Sequence, residues 1–218
     1  MIVDFMDNTR EQGFIVRRYL PHKQKISVIT HTQGKISLFI KNPVACSRFW
    51  PGMLINFTLS EKKNSFHVVQ EIEILDLFAY SSPDDTLWTH QLLELCYFFV
   101  PTNSMCDDIY LFLRHCLWFA HQKDRFSSLP SELYLMSFVR FFVLIGFYPE
   151  PHILQLGILF EKFLTNSIDF NDPQNIESVK EYLQAIHKKT LHEAHLWVAK
   201  CTKSHPNFAS FKTMDILR

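Results

Sequence analysis

The side chains best placed to do chemistry are the cations of the first fifty residues. Between Gln12 and Gly52 the chain has no acidic residue and seven basic ones. These cations are Arg17, Arg18, Lys23, Lys25, Lys35, Lys41 and Arg48. The aromatic residues interleaved with them are Tyr19, Phe39, Phe49 and Trp50, of which Tyr19 and Phe39 are the candidates for stacking on bases. Because cations contact phosphates and rings stack on unpaired bases, the pattern predicts a track for single-stranded nucleic acid. An ordinary solvated sheet face is the alternative.

Catalytic motifs are missing from the sequence. There is no GxSxG, Walker-type or GxGxxG pattern. The carboxylate pairs Asp84–Asp85 and Asp107–Asp108 fall where helices should begin, and there they stabilise the helix dipole. Cys96, Cys106 and Cys116 stand in apolar segments of helical pattern, which favours small buried hydrophobes over nucleophiles. We therefore expect no catalytic site and no enzyme activity.

Metal ligation is not predicted either. His187, His192 and His195 share one helical segment, but the last two are three residues apart and not four as in HExxH. With no fourth ligand evident, solvated histidines are the better interpretation. Five cysteines without a CxxC pair argue against a zinc module or a disulfide framework. We expect reduced thiols, no metal and no cofactor.

Composition limits the architecture that positions these residues. The chain has 218 residues, enough for one domain or two small ones, and 47% are hydrophobic. A formal net charge of zero hides a segregation, because residues 1–63 carry +6, residues 64–180 carry −9 and residues 181–218 carry +3. No apolar run approaches the roughly 20 residues of a membrane span, and no secretory signal is evident. We expect a cytoplasmic protein.

The first 80 residues have the pattern of short strands. The predicted strands are Gly13 to Leu20, Lys25 to Thr30, Lys35 to Lys41, Met53 to Leu59 and Phe66 to Leu75. His31 to Gly34 predicts a hairpin loop with Gly34 at positive φ, and Glu61 to Asn64 predicts a polar turn. Five strands with a longer connection after the third predict a small closed barrel of the OB kind.

The second half has helical periodicity. The predicted helices are Thr86 to Val100, Met105 to His121, Ser131 to Ile145, His152 to Asn166 and Pro173 to Cys201. Ser104 with Asp107 resembles a capping box, and Asp172 before Pro173 resembles a helix start. The third helix is apolar almost all round and should be the buried centre of a bundle. The fold class is therefore α+β, with an OB barrel over residues 1–80 and a helical bundle over 81–218.

This order of parts resembles the RecO family of recombination mediator proteins. In the barrel the family pattern is matched by Thr30, Gly34, Lys35 and Lys41. In the bundle it is matched by Leu93 to Leu95, Ile109 to Leu117, Ser137 to Pro149 and, as the closing helix, Ser210 to Met214. The sequence also departs from the family. Pro21 to Lys25 replaces its usual glutamate before the second strand, Phe138 replaces a helix glutamate, and Leu135 and Met136 stand where members carry basic residues. The four-cysteine zinc module that often follows Gly-Tyr-x-Pro is missing after Pro149.

The resemblance implies a nucleoid-associated DNA repair and recombination mediator. Such a protein binds single-stranded DNA and the acidic tail of single-strand-binding protein, loads a RecA-type recombinase with RecR, and anneals strands. The seven cations would contact phosphates, and Arg114 and Arg140 are the candidate cations for the partner's tail. The competing hypothesis is a protein-interaction adaptor whose barrel does not bind DNA, which the acidic middle segment favours.

Overall fold

The structure is a computed structural model that describes residues 10–19, 24–42, 46–63, 66–77, 82–122, 132–165, 181, 183 and 185–213. The chain divides into two compact units. The barrel unit takes in Met1–Phe78 and Val100–Tyr110, and the helical unit takes in Ala79–Phe99 and Leu111–Arg218. This differs from the predicted division at residue 80 in one respect, because the segment after the first helix belongs to the barrel unit.

Five strands close into a barrel. They are β1 (Arg10–Arg18), β2 (Lys25–Thr30), β3 (Gly34–Ile40), β4 (Leu54–Lys63) and β5 (Phe66–Asp76). The closed order is β1-β2-β3-β5-β4, in which β3 and β5 are parallel and the other pairs are antiparallel. This is the five-stranded arrangement of an OB barrel. The predicted fold class, an N-terminal OB barrel followed by helices, is confirmed.

Alternation of side chains explains why these segments form strands. On β3, Ile36, Leu38 and Ile40 are buried in the barrel core, whereas the residues between them are only half-buried. The predicted second strand agrees with β2 residue for residue. The turn predicted over Glu61 to Asn64 includes residues that belong to a strand. β4 continues to Lys63, which pairs with Phe66.

The β2–β3 hairpin depends on Thr30 and Gly34. The buried Thr30 hydroxyl accepts a hydrogen bond from the Gln33 amide (3.0 Å) and donates one to the Gly34 carbonyl (3.3 Å). Gly34 has φ +66°, as predicted. A β-carbon there would lie 1.7 Å from the Ser104 carbonyl oxygen, so glycine also admits the Val100–Tyr110 segment against the hairpin.

The described helices follow the predicted order. They are α1 (Pro83–Phe99), α2 (Asp107–Gln122), α3 (Glu132–Leu144), α4 (Pro151–Thr165) and α5 (Lys188–Lys203), with a 3₁₀ helix at Phe208–Ser210. Of these, α3 is largely buried, including Leu133, Met136 and Phe142, as expected for the centre of the bundle. No described helix is long and apolar enough to cross a membrane.

Two details of the helix prediction are wrong. The capping box lies at the start of α1, where the Ser82 hydroxyl bonds the backbone amide and the carboxylate of Asp85. Ser104 lies outside α2, which begins at Asp107. The long helix to Cys201 is interrupted at His187, whose extended backbone and Nδ1 atom cap α5 through the Lys189 amide (3.2 Å). Asp172 and Pro173 lie outside the described residues.

The last described segment, residues 208–213, contacts α1. Where the resemblance implied a closing helix from Ser210, the structure has a short 3₁₀ turn that ends at that residue. The Glu94 carboxylate then accepts hydrogen bonds from the backbone amides of Lys212 (2.7 Å) and Thr213 (2.8 Å). Phe211 stacks on Phe98 with ring centroids 4.2 Å apart, which buries its ring in the helical unit.

Candidate nucleic-acid interface

Strand register collects most of the predicted cations at one end of the barrel. β1 ends at Arg18, β2 begins at Lys25 and β3 ends at Ile40, so antiparallel pairing places these three termini side by side. The Tyr19 amide donates to the Lys25 carbonyl (3.3 Å), and Lys25 lies directly opposite Phe39. The cations at these termini therefore surround one barrel end.

Opposed residues also fix which side chains share a face. Arg17 lies opposite Ser27, and Ser27 lies opposite Ser37, which forms one row across three strands. Lys25 and Phe39 form the next row, two residues further along each strand, so they point to the same outer face. We call Arg17, Tyr19, Lys25, Phe39 and Lys41 the barrel-end patch.

Tyr19 is held between two cations of this patch. The Arg17 guanidinium carbon lies 5.5 Å from the centre of the Tyr19 ring, and the Lys25 ammonium lies 5.2 Å from it. The phenol also shares a hydrogen bond with the Ser27 hydroxyl (3.3 Å). Cations within about 6 Å of a ring centre are attracted to its face. These contacts order two cations and a ring without neutralising the charge.

Phe39 completes the apolar side of the patch. Its half-buried ring packs against Phe66 of β5 with centroids 5.5 Å apart, so it belongs to the barrel surface. Lys41 lies two residues beyond Phe39 and is exposed. The Lys41 carbonyl accepts a hydrogen bond from the Gln24 side chain, which ties the end of β3 to the residue before β2.

Arg18 faces away from the barrel-end patch. Its guanidinium carbon lies 4.9 Å from the centre of the Trp50 ring, and its Nη1 donates to the Ser47 carbonyl (3.3 Å). Arg48 is exposed in the same connection between β3 and β4. Arg18, Arg48 and Trp50 therefore form a second basic and aromatic group near the same end of the barrel.

Lys35 lies at the far end of β3. The Lys35 carbonyl accepts a hydrogen bond from the Asn103 amide (2.9 Å), beside a bridge to Thr102. Its side chain is half-buried, and its charge lowers the pKa of the Cys106 thiol, which burial and Asp107 raise. Six residues of strand, about 20 Å, separate Lys35 from Lys41, so one short ligand does not use both equally. Lys23 lies outside the described residues.

Acidic residues of the described strands stand outside the segments that supply the patch: Glu11 on β1, Glu61 on β4, and Glu71, Glu73 and Asp76 on β5. Glu71 and Glu73 of β5 are exposed beside β4, and Glu71 lies 3.9 Å from Arg10. The sequence from 13 to 51, which supplies the patch, has no carboxylate. The segments that supply the patch are therefore basic, and a local excess of one charge attracts a polyanion.

The two predicted cations of the helical unit differ in their surroundings. Arg140 is half-buried, and its Nη2 donates to the Glu161 carboxylate (2.5 Å), so its charge is already compensated. Arg114 is exposed on α2, between Leu111 (40% exposed) and Trp118 (53% exposed). Residues three and four apart share a helix face, so Arg114 has an apolar side chain on either side.

Of the other candidate groups, the Asp85 carboxylate has structural partners and four of the five thiols are buried. Asp85 is buried and accepts hydrogen bonds from Ser82 and from the Tyr134 hydroxyl (2.5 Å), and burial and this bond raise the Tyr134 pKa. All five cysteines are free, and burial raises the pKa of Cys116 well above its ordinary value. Within the described part of the chain, no group of three or more His, Cys, Asp or Glu could hold a metal ion.

The fold and the site define an OB-barrel chain with a basic, aromatic barrel end and an attached helical unit. Comparison of the sequence with models of protein families and with curated proteins finds no match.

Proposed function

We propose that this chain is a non-catalytic DNA repair and recombination mediator that binds single-stranded DNA through the barrel-end patch. One observation carries the proposal: two cations and two aromatic rings share one face and one end of an OB barrel, and the exposed Lys41 follows directly after that end of β3. OB barrels bind oligonucleotides on the face of their middle strands and the adjoining loops. The RecO resemblance supports the wider role, in which the chain engages single-strand-binding protein, loads recombinase with RecR and anneals strands.

The mechanism is binding, displacement and juxtaposition of strands. Arg17, Lys25 and Lys41 would contact phosphates, while Tyr19 and Phe39 would stack on bases. If each of the three cations neutralises about one phosphate, log K falls with log salt with a slope of roughly −2. Affinity should then drop by about 20-fold between 50 and 200 mM salt.

The test is fluorescence anisotropy with a labelled single-stranded oligonucleotide and the full chain, at low and moderate salt. Lys25→Glu should weaken binding more than tenfold and flatten the salt dependence. Lys35→Glu is the matched control, because it makes the same charge change at the far end of the hairpin. No salt-sensitive binding by the unmodified chain would refute the proposal, and equal losses in the two variants would move the site away from the patch.

The second candidate is an adaptor that docks a protein through the helical unit and does not use the barrel for DNA. The exposed face of α2 favours it, because Leu111, Arg114 and Trp118 combine one cation with two apolar side chains. Such a face suits an acidic peptide that ends in an aromatic residue. In the mediator that the RecO resemblance implies, this face would be the candidate dock for the tail of single-strand-binding protein.

Peptide binding separates the two candidates. A labelled acidic peptide ending in Phe should bind the full chain, and Arg114→Glu should abolish that binding. Lys162→Glu is the control, since Lys162 is an exposed cation of α4 in the same unit. Peptide binding without any oligonucleotide binding would establish the adaptor. Oligonucleotide binding that Lys25→Glu removes would establish the mediator.

A further inference from the structure

Trp50 is an exposed ring on a barrel whose other described Phe, Tyr and Trp side chains are more covered. It is 57% exposed, whereas Tyr19 and Phe39 are half-buried. It follows the buried Phe49 in the connection between β3 and β4. Trp50 is not part of the barrel core. From the same connection, Phe49 and Cys46 supply the side chains that pack into that core.

The backbone that carries Trp50 is firmly fixed to β1. The Gly52 amide donates to the Ile15 carbonyl (2.7 Å), and the Ile15 amide donates to the Met53 carbonyl (3.0 Å). The Met53 amide in turn donates to the Trp50 carbonyl (3.2 Å). Little conformational freedom is therefore left for a ligand to remove when it contacts this ring.

One face of the indole is already covered by a cation. The Arg18 guanidinium lies 4.9 Å from the ring centre and is itself held by the Ser47 carbonyl. A base that stacks on this ring would therefore have to use the opposite face. Arg48, two residues before Trp50 in the chain, is also exposed.

We propose that Trp50 is a base-stacking platform through which the barrel recognises the unpaired bases of a single strand. This inference rests on the proposed function and adds a contact outside the barrel-end patch. A base inside a duplex has both faces stacked, so only an unpaired base can lie on the indole. Cations attract single strands and duplexes alike, whereas a stacking ring stabilises the binding of an unpaired base alone.

The experiment compares two ligands of equal charge: a single-stranded oligonucleotide and the same backbone with abasic sites throughout. The unmodified full chain should bind the base-bearing strand more tightly. Trp50→Ala should reduce that preference by between about 5-fold and 150-fold while leaving the abasic affinity and its salt dependence unchanged. Trp50→Phe should keep part of the preference. Tyr148→Ala is the matched control, because Tyr148 is an exposed aromatic side chain of the helical unit outside both proposed binding sites.

The outcomes separate this inference from the proposed function. If the chain binds both strands and Trp50→Ala leaves their ratio unchanged, the stacking role is overturned and DNA binding stands. If the chain binds neither strand at low salt, DNA binding itself fails. An equal loss for both strands in Trp50→Ala would assign Trp50 a role in supporting Arg18 and overturn the stacking role.

Discussion

Replacing Gly34 with alanine should uncouple the Val100–Tyr110 segment from the barrel. A β-carbon at this position would lie 1.7 Å from the Ser104 carbonyl oxygen and 2.7 Å from its carbon, so that backbone must move. The left-handed conformation alone costs a non-glycine residue about 1–2 kcal/mol. Displacement should also break the 2.9 Å bond from the Asn103 amide to the Lys35 carbonyl, worth about 1 kcal/mol. We therefore expect Gly34→Ala to lower the free energy of unfolding by about 3 kcal/mol.

Gly146→Ala provides the matched control. Gly146 has φ +93°, but a β-carbon there would meet nothing within 4 Å. That variant should lose only the backbone cost of about 1–2 kcal/mol. Amide hydrogen exchange measures the free energy of opening in each unit, and the Asn103 amide should lose its protection in Gly34→Ala alone. Equal destabilisation by the two variants, or a protected Asn103 amide in Gly34→Ala, would refute the reasoning.

Three further predictions concern the helical unit and the thiols. Tyr134→Phe keeps the ring stacked on α1 but removes a hydrogen bond to the buried Asp85. In urea unfolding, the helical unit should therefore lose about 1–3 kcal/mol of stability. An unchanged midpoint of the unfolding curve would contradict this. Arg140→Ala removes the ion pair with Glu161, which solvent partly screens, so the loss should be roughly 1 kcal/mol or less, and a larger one would show a second role. Burial and a neighbouring carboxylate raise the Cys106 pKa, so the rate of its reaction with maleimide should still increase above pH 9. Cys106 should also react faster than the four more buried thiols. A rate that levels off below pH 9 would contradict this prediction.

Much of the fold follows from local pattern. The alternation in β3 and the breaker residues around β2 were sufficient to place both strands within one residue. The break before α5 was not predictable from periodicity, because the apolar spacing continues through it. His187 stops the helix by bonding the Lys189 amide, which is a local competition that periodicity does not register. The box from Ser82 to Asp85 did have a sequence signal, a serine followed by an acid three residues later.

The site was predictable in composition but not in grouping. Arg17 and Arg18 are equivalent in the sequence, yet only Arg17 joins the barrel-end patch. The cause is a bulge in β1: Ile15 lies opposite Val28, but Arg17, two residues on, lies opposite the very next residue, Ser27. A regular ladder would have put Arg17 on the inner face and Val16 on the outer one. The residue types do not predict this bulge. The positions of charged residues in the sequence therefore could not show which of the two arginines joins the patch.

The four barrel residues that match the RecO pattern have different places in the structure. Thr30 and Gly34 close the hairpin and admit the neighbouring segment, which a barrel of this shape needs whatever it binds. Lys35 lies at the far end of β3 beside that segment, and only Lys41 belongs to the barrel-end patch. The case for DNA binding therefore depends on Lys25, whose ammonium lies on the Tyr19 ring and which the matched motif does not include. A strong loss in Lys25→Glu beside a weak one in Lys35→Glu would show that the function follows the geometry of the barrel end. The reverse result would show that it follows the motif.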